Sequence, residues 1–227
     1  MRVASYNIRK AVGLDWRRDP NRIVDVLAEI DADIVVLQEA DKRAGSRAGV
    51  LPLDRLQREL GYELVDVSVR PQSHGWHGNA ILVRDSFVNW SSTRIEIPTV
   101  EPRGAVSMLL SDPMVEVVGV HLGLTPGMRR KQIEALRQLV DKRDHPVILA
   151  GDFNEWNLSR LVFDPASKVI SPGPSFHAAR PTTALDWFVL TGPLHAVSSY
   201  VHTSDLAERA SDHLPIVIDI EFMENDQ

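Results

Sequence analysis

Residues 146–154 read Pro146-Val147-Ile148-Leu149-Ala150-Gly151-Asp152-Phe153-Asn154. The run 146–150 is continuously apolar, as in a strand buried on both faces, and the chain turns polar at Asp152 and Asn154 directly after it. The same layout recurs along the chain. Asn7 ends the β-prone stretch 2–8, and Glu39 follows the apolar run at 34–37. His121 closes 115–120, Asp186 opens 186–190, and Asp212-His213 precede 216–220. Rigid strand ends can converge side chains that are far apart in sequence.

Working outward, further strands are expected at 62–69, 79–83, 88–97, 105–110, 115–122, 185–190, 196–201 and 216–222, with turn-rich joints that predict hairpins. Helical spacing marks Pro20–Ile30, through Ile23, Val26, Leu27 and Ile30, and 126–140, through Ile133, Leu136, Leu139 and Val140. Residues 53–60 read as a short helix stopped by Gly61, and 156–162 as another. The proline-bearing stretch 167–181 reads as loop. This mixture predicts two stacked sheets with helices outside. A strand followed by an asparagine occurs at Asn7 and again at Asn154, a faint internal echo.

The chain has 227 residues, the size of one large domain, and no linker divides it. We expect one domain over 1–222 and a frayed polar tail at 223–227. Hydrophobic residues make up 44 %, enough to fill a core and exclude bulk disorder. No apolar run reaches the length of a membrane-spanning helix. The opening residues lack a signal-peptide layout, so a cytoplasmic location is the expectation. Without cysteine, thiolate metal sites and a cysteine nucleophile are excluded. The net charge of −6 weighs against a non-specific DNA coat protein but not against an enzyme acting on nucleic acid.

Each polar residue has an ordinary reading: Asn7 and Asp152–Asn154 as turn residues, Asp212 as a cap, His121 as a structural histidine. Six strand ends carrying such residues together point instead to a metal-assisted phosphoester hydrolase. A hard cation takes oxygen ligands, which Glu39 and Asp212 can supply with Asn7 or Asp152 beside them. Asp152 can activate or orient water, and Asn154 can hold phosphate or water. His213 can donate to the phosphate or carry a proton, with Asp186 fixing its tautomer. Arg9-Lys10 and Arg17-Arg18 follow Asn7 closely enough to recognise phosphate. Arg129-Arg130-Lys131 reads more simply as a solvated helix turn. His74, Trp76 and His77 precede the strand at 79–83, where an aromatic can stack on a base or ring or equally pack on the loop.

The segments Ser5-Tyr6-Asn7-Ile8, Leu37-Gln38-Glu39, Gly78-Asn79-Ala80-Ile81-Leu82, Gly119-Val120-His121-Leu122, Gly151-Asp152-Phe153-Asn154, Leu185-Asp186-Trp187-Phe188 and Ser211-Asp212-His213-Leu214-Pro215 occur in an order that resembles the endonuclease/exonuclease/phosphatase superfamily. That group holds DNase I, AP endonucleases, neutral sphingomyelinases and inositol polyphosphate 5-phosphatases. The resemblance spans Asn7 to Pro215. It implies a DNase I-like four-layered α/β sandwich, two stacked mixed sheets flanked by helices, with the site at their open edge. It implies that Glu39 is a metal ligand, that Asn7, Asp152, Asn154 and Asp212 are metal and phosphate ligands, and that His213 and Asp186 form the His–Asp pair. His121 resembles the second histidine of DNase I-like and sphingomyelinase-like members, which disfavours the AP endonuclease branch. Residues 101–105 resemble the segment that places an arginine, here Arg103, near the substrate phosphate. The opening resembles small bacterial members.

The expected activity is Mg2+- or Mn2+-dependent hydrolysis of a phosphodiester, nuclease-like on DNA or RNA. One alternative is a phospholipid or small-metabolite phosphodiesterase or phosphatase using the same site; another is a non-catalytic binding module. An apolar rim around the site favours lipid, and a basic groove with aromatics favours nucleic acid.

Overall fold

The computed structural model describes residues 1–99 and 104–223. One sheet holds β1 (Arg2–Asn7), β2 (Ile34–Gln38), β3 (Tyr62–Leu64), β4 (Ala80–Arg84), β11 (Leu194–Val201) and β12 (Ile216–Phe222), in the order β11-β12-β1-β2-β4-β3. The other holds β5 (Trp90–Ile95), β6 (Ala105–Ser111), β7 (Met114–His121), β8 (Val147–Asp152), β9 (Lys168–Ile170) and β10 (Asp186–Leu190), in the order β5-β6-β7-β8-β10-β9. Each sheet contains one parallel pair. Helix α1 (Pro20–Ile30) connects β1 to β2, and α3 (Pro126–Val140) connects β7 to β8. All other neighbours are antiparallel.

Four layers follow from burial on both faces of each sheet. In β2, Ile34 and Val36 point between the sheets, while Val35 and Leu37 point at the helices. The layer between the sheets sets Val3, Val36, Ile81 and Ile216 against Val106, Val117, Ile148 and Phe188. Helices α1, α2 (Leu53–Leu60) and the short α4 (Ala207–Ala210) cover the first sheet, and α3 covers the second. Asp19 caps α1 by accepting from the N–H groups of Asn21 and Arg22, and Pro20 occupies its first turn. Gly61 ends α2 in the left-handed conformation at φ +63°.

Several expectations change. The strand expected at 62–69 ends at Leu64: Val65 and Val67 still fill the core, but the segment crosses to the second sheet, where Asp66 O accepts from Ser92 Oγ and Ser68 O from Arg94. Strands β4 and β5 therefore lie in different sheets rather than forming a hairpin. The helix expected at 156–162 is a single 3-10 turn, Leu158–Arg160, and the loop 167–181 contains β9. The internal echo pairs β1-α1-β2 with β7-α3-β8, so Asn7 corresponds to His121 rather than to Asn154. Residues 224–227 of the expected tail lie outside the described residues.

The sheets approach closely at Gly119. A Cβ there would stand 2.7 Å from Val36 Cγ1 and 3.3 Å from Val106 Cγ2. Both neighbours are stiff β-branched residues. Gly119→Val should therefore destabilise the protein by about 1–3 kcal/mol through overpacking, read as a lower urea midpoint at unchanged slope.

Candidate functional site

The site forms where the carboxyl ends of the two parallel pairs meet. Register places Asn7 beside Gln38 in one sheet, and His121 and Asp186 on either side of Asp152 in the other. A buried hydrogen bond joins the sheets: Asn7 Nδ2 donates to Asp152 Oδ2 at 3.1 Å. The same oxygen lies 3.4 Å from His121 Nε2 and 3.7 Å from His213 Nε2. Asp152 Oδ1 accepts the Asn154 N–H at 2.9 Å, and Asn154 Nδ2 donates to Leu122 O at 3.0 Å.

His213 comes from the loop before β12. Ser211 Oγ anchors that loop by donating to Asn7 O at 2.6 Å. His213 Nδ1 lies 2.9 Å from Asp186 Oδ2, to which Ser175 Oγ also donates. The Phe176 ring packs against the imidazole at a centroid distance of 4.9 Å. Burial pulls the His213 pKa down most strongly, but Asp186, Asp152, the bond to Asp186 and Asp212 together hold it up at about 9. His213 is therefore a cation between two carboxylates at neutral pH.

Glu39 and Asp212 face a different set of cations. Glu39 sits just past β2 at φ +55°, with the Lys10 ammonium on its Oε2 and Arg43 Nη2 3.9 Å from its Oε1. Asp212 Oδ2 lies 3.4 Å from Arg9 Nε, and the Arg9 guanidinium stacks on the Trp16 ring at 4.6 Å. Arg9, Lys10 and Ala11 all have positive φ (47°, 59° and 58°), local strain of the kind stored at functional sites.

Two groups of residues can be weighed as a cation seat. Among the described residues, Asp152, Asp186 and His213 form the one group of three or more acidic or imidazole side chains whose ligand atoms all lie within 4.8 Å of one another. Yet a protonated imidazole has no lone pair to offer a metal. The carboxylates of Glu39 and Asp212 each already hold a cationic side chain, Lys10 on the first and Arg9 on the second. That donor chemistry fits a hard divalent ion.

Arg103 lies outside the described residues. Arg129 is neither solvated nor a phosphate grip: it is buried, with its Nη2 3.2 Å from the equally buried Glu155 Oε2. It also donates to Gly123 O and Leu124 O, tying the loop after His121 to the loop after Asn154. His74 accepts the Leu51 N–H at its Nε2 and is structural. Sequence reasoning missed Ser175, Ser211 and the Arg129–Glu155 pair. Ser211 opens the Ser211–Pro215 motif, and its hydroxyl next to Asp212 was the available signal. Ser175 lies in a proline-rich loop and carried none.

The His213 charge has a testable sign. Its folded pKa lies above the ordinary imidazole value of about 6.5. Its contribution to stability is thus complete below about pH 6.5 and is lost as pH rises through about 9. An NMR titration in EDTA should give a His213 midpoint near 9 in the wild type and a clearly lower one in Asp186→Asn. A wild-type midpoint at or below 6.5 would remove the cationic His213.

The uncharacterized protein YbhP of Escherichia coli (strain K12) is 30% identical over 173 residues, covering 68% of this chain and 67% of YbhP. An endonuclease/exonuclease/phosphatase from Beutenbergia cavernae superposes with a TM-score of 0.69 at 24% identity, covering 98% of this chain and 72% of that one. D. rerio TDP2, complexed with a single-strand DNA product, superposes at 0.74 with 18% identity, covering 97% and 98%. A mannosyl-6-phosphatase of Bacteroides thetaiotaomicron superposes at 0.69 with 20% identity, covering 98% and 100%. The two-sheet sandwich is thus a DNase I-like fold. Residues 4–213 match the model of the Endonuclease/Exonuclease/phosphatase family, and the chain belongs to that family, whose members are hydrolases of phosphoester bonds.

Proposed function

We propose that this chain, acting as one catalytic domain over 1–222 in the cytoplasm, is a divalent-metal-dependent hydrolase of phosphodiester bonds with a nuclease-like preference. The observation that carries this reading is the buried His213 bridging Asp186 and Asp152 at the meeting point of the two sheets. Glu39 and Asp212, with Asn7 or Asp152 beside them, would hold a Mg2+ or Mn2+ ion, which would supply positive charge against the phosphoryl oxygens.

The chain's own residues do the rest. Asp186 holds His213 Nδ1, which aims Nε2–H at the position of a phosphoryl oxygen as charge develops there. Asp152 orients the attacking water and takes its proton. Asn154 and Asn7 fix phosphate or water, and His121 sets the Asp152 carboxylate from the other side. Arg9, with Arg103 by its sequence position, serves substrate phosphate. The TDP2 likeness, on a protein that holds DNA product, supports the nuclease-like preference. A lipid head group is the second reading, favoured by the exposed Leu124, Trp156, Leu158 and Val162 on loops leaving the site edge.

Purified protein should turn over bis-p-nitrophenyl phosphate faster than p-nitrophenyl phosphate with Mg2+ or Mn2+, and neither in EDTA. Glu39→Gln should weaken calorimetric Mg2+ binding and activity together. His213→Ala should lower the rate by about 10²–10⁴-fold. A clear monoester preference would move the chain to the phosphatases, and unchanged metal binding in Glu39→Gln would remove that ligand.

A further inference from the structure

Next to Glu39 and His121 the surface opens into a cleft of about 360 Å³ lined by Lys10, Lys42, Arg43, Arg47 and Arg70. Its lining holds five cationic side chains but only two carboxylates, in a chain whose net charge is −6. Both carboxylates are engaged. Glu39 carries the Lys10 ammonium, and Asp41 accepts from Ser73 Oγ at 2.6 Å and the His74 N–H at 2.7 Å.

The walls are built rather than draped. The loop after β2 and the loop before β4 are tied by Gly49 N–H donating to Gln72 O at 2.7 Å. Gly49 also lies flat on the His74 ring, where a Cβ would come within 2.1 Å of it. The positive charge is felt by its neighbours. Burial first, then Arg47 and Arg70, push the His77 imidazole toward its neutral form. The His77 ring lines the cleft, 4.5 Å from the ring of Trp76.

We infer that this cleft is a subsite for the nucleotide adjoining the scissile phosphate, with Lys42, Arg43, Arg47 and Arg70 on flanking phosphates and the His77 ring against a base. It rests on the phosphodiesterase reading and names its substrate class: a single strand of nucleic acid. The volume is at the small end of ligand pockets, about 300–1,000 Å³, which suits one nucleotide unit. A cationic groove with a stacking ring is the general solution for single strands. Lone phosphate esters would leave most of these cations unused.

The test is the Arg47→Ala/Arg70→Ala double variant, which leaves the residues around His213 and Glu39 in place. Binding of a fluorescein-labelled oligothymidylate is read by anisotropy in EDTA, and turnover with Mg2+. The variant should bind the oligonucleotide about tenfold or more weaker, which corresponds to about 1.4 kcal/mol per tenfold step. Its log K against log salt should flatten by about 0.7 for each phosphate that the variant no longer neutralises. Turnover of bis-p-nitrophenyl phosphate should match the wild type, and wild-type protein should bind the single strand more tightly than a duplex of the same sequence. Unchanged oligonucleotide binding in the variant, or equal wild-type binding of duplex, overturns the subsite. So does a variant that keeps oligonucleotide binding but loses binding to phosphatidylglycerol vesicles, which would make the cleft a lipid site. If wild-type protein cleaves neither bis-p-nitrophenyl phosphate nor the oligonucleotide, the phosphodiesterase reading fails, and the metal-free binding comparison still decides the subsite.

Discussion

Asp152 Oδ2 is a buried oxygen shared by Asn7, His121 and His213, and it lies where the ends of two sheets meet. A buried carboxylate left without partners would be costly. The sheets must therefore be stacked so that Asn7 of one reaches Asp152 of the other. The dry layer between them sets that distance: Gly119 removes a side chain where Val36 crosses, and Val3, Ile34 and Phe188 fill the remainder. Packing in the core thus fixes the geometry at the edge. The loop carrying Ser211 and His213 is then anchored to the Asn7 carbonyl and inherits the same position.

The edge separates two kinds of charge. Toward β10, a protonated imidazole is held between carboxylates, with Ser175 fixing the outer one. Toward β2, carboxylates on strained or irregular backbone face lysine and arginine. The proposed phosphodiester hydrolysis would draw on both, a proton donor from the first and a cation seat from the second. Arg129 and Glu155 lock the loops between them without touching either. Because a buried ion pair loses much more when one partner is removed than when both become apolar, that pair reads as a staple of the two loops.

Much of this was legible in the chain itself. Helices α1 and α3 follow from apolar spacing, with a proline in the first turn of each, and both signals are local. The convergence of Asn7, Asp152, Asp186 and His213 followed from recurring polar residues at strand ends, since strand ends are where a sandwich exposes side chains. What stayed hidden was non-local. The alternation at 62–69 describes burial truthfully, yet burial does not say which sheet a segment pairs with, so Val65 and Val67 reach the core while the ladder stops. Arg129 looks solvated in sequence because its acid, Glu155, lies on a different loop. Ser175 and the five-cation cleft depend on loops brought together only by the fold, and no spacing rule records them.

In the proposed function the cation seat lies at Glu39 and Asp212 while His213 keeps its proton between Asp186 and Asp152. The most direct measurement is the anomalous difference map of a crystal grown in Mn2+. A manganese peak is expected on the Glu39 carboxylate, with the Lys10 ammonium moved off that carboxylate and the bond from His213 Nδ1 to Asp186 intact. A peak held by Asp152, Asp186 and His213, with Lys10 still on Glu39, would contradict it.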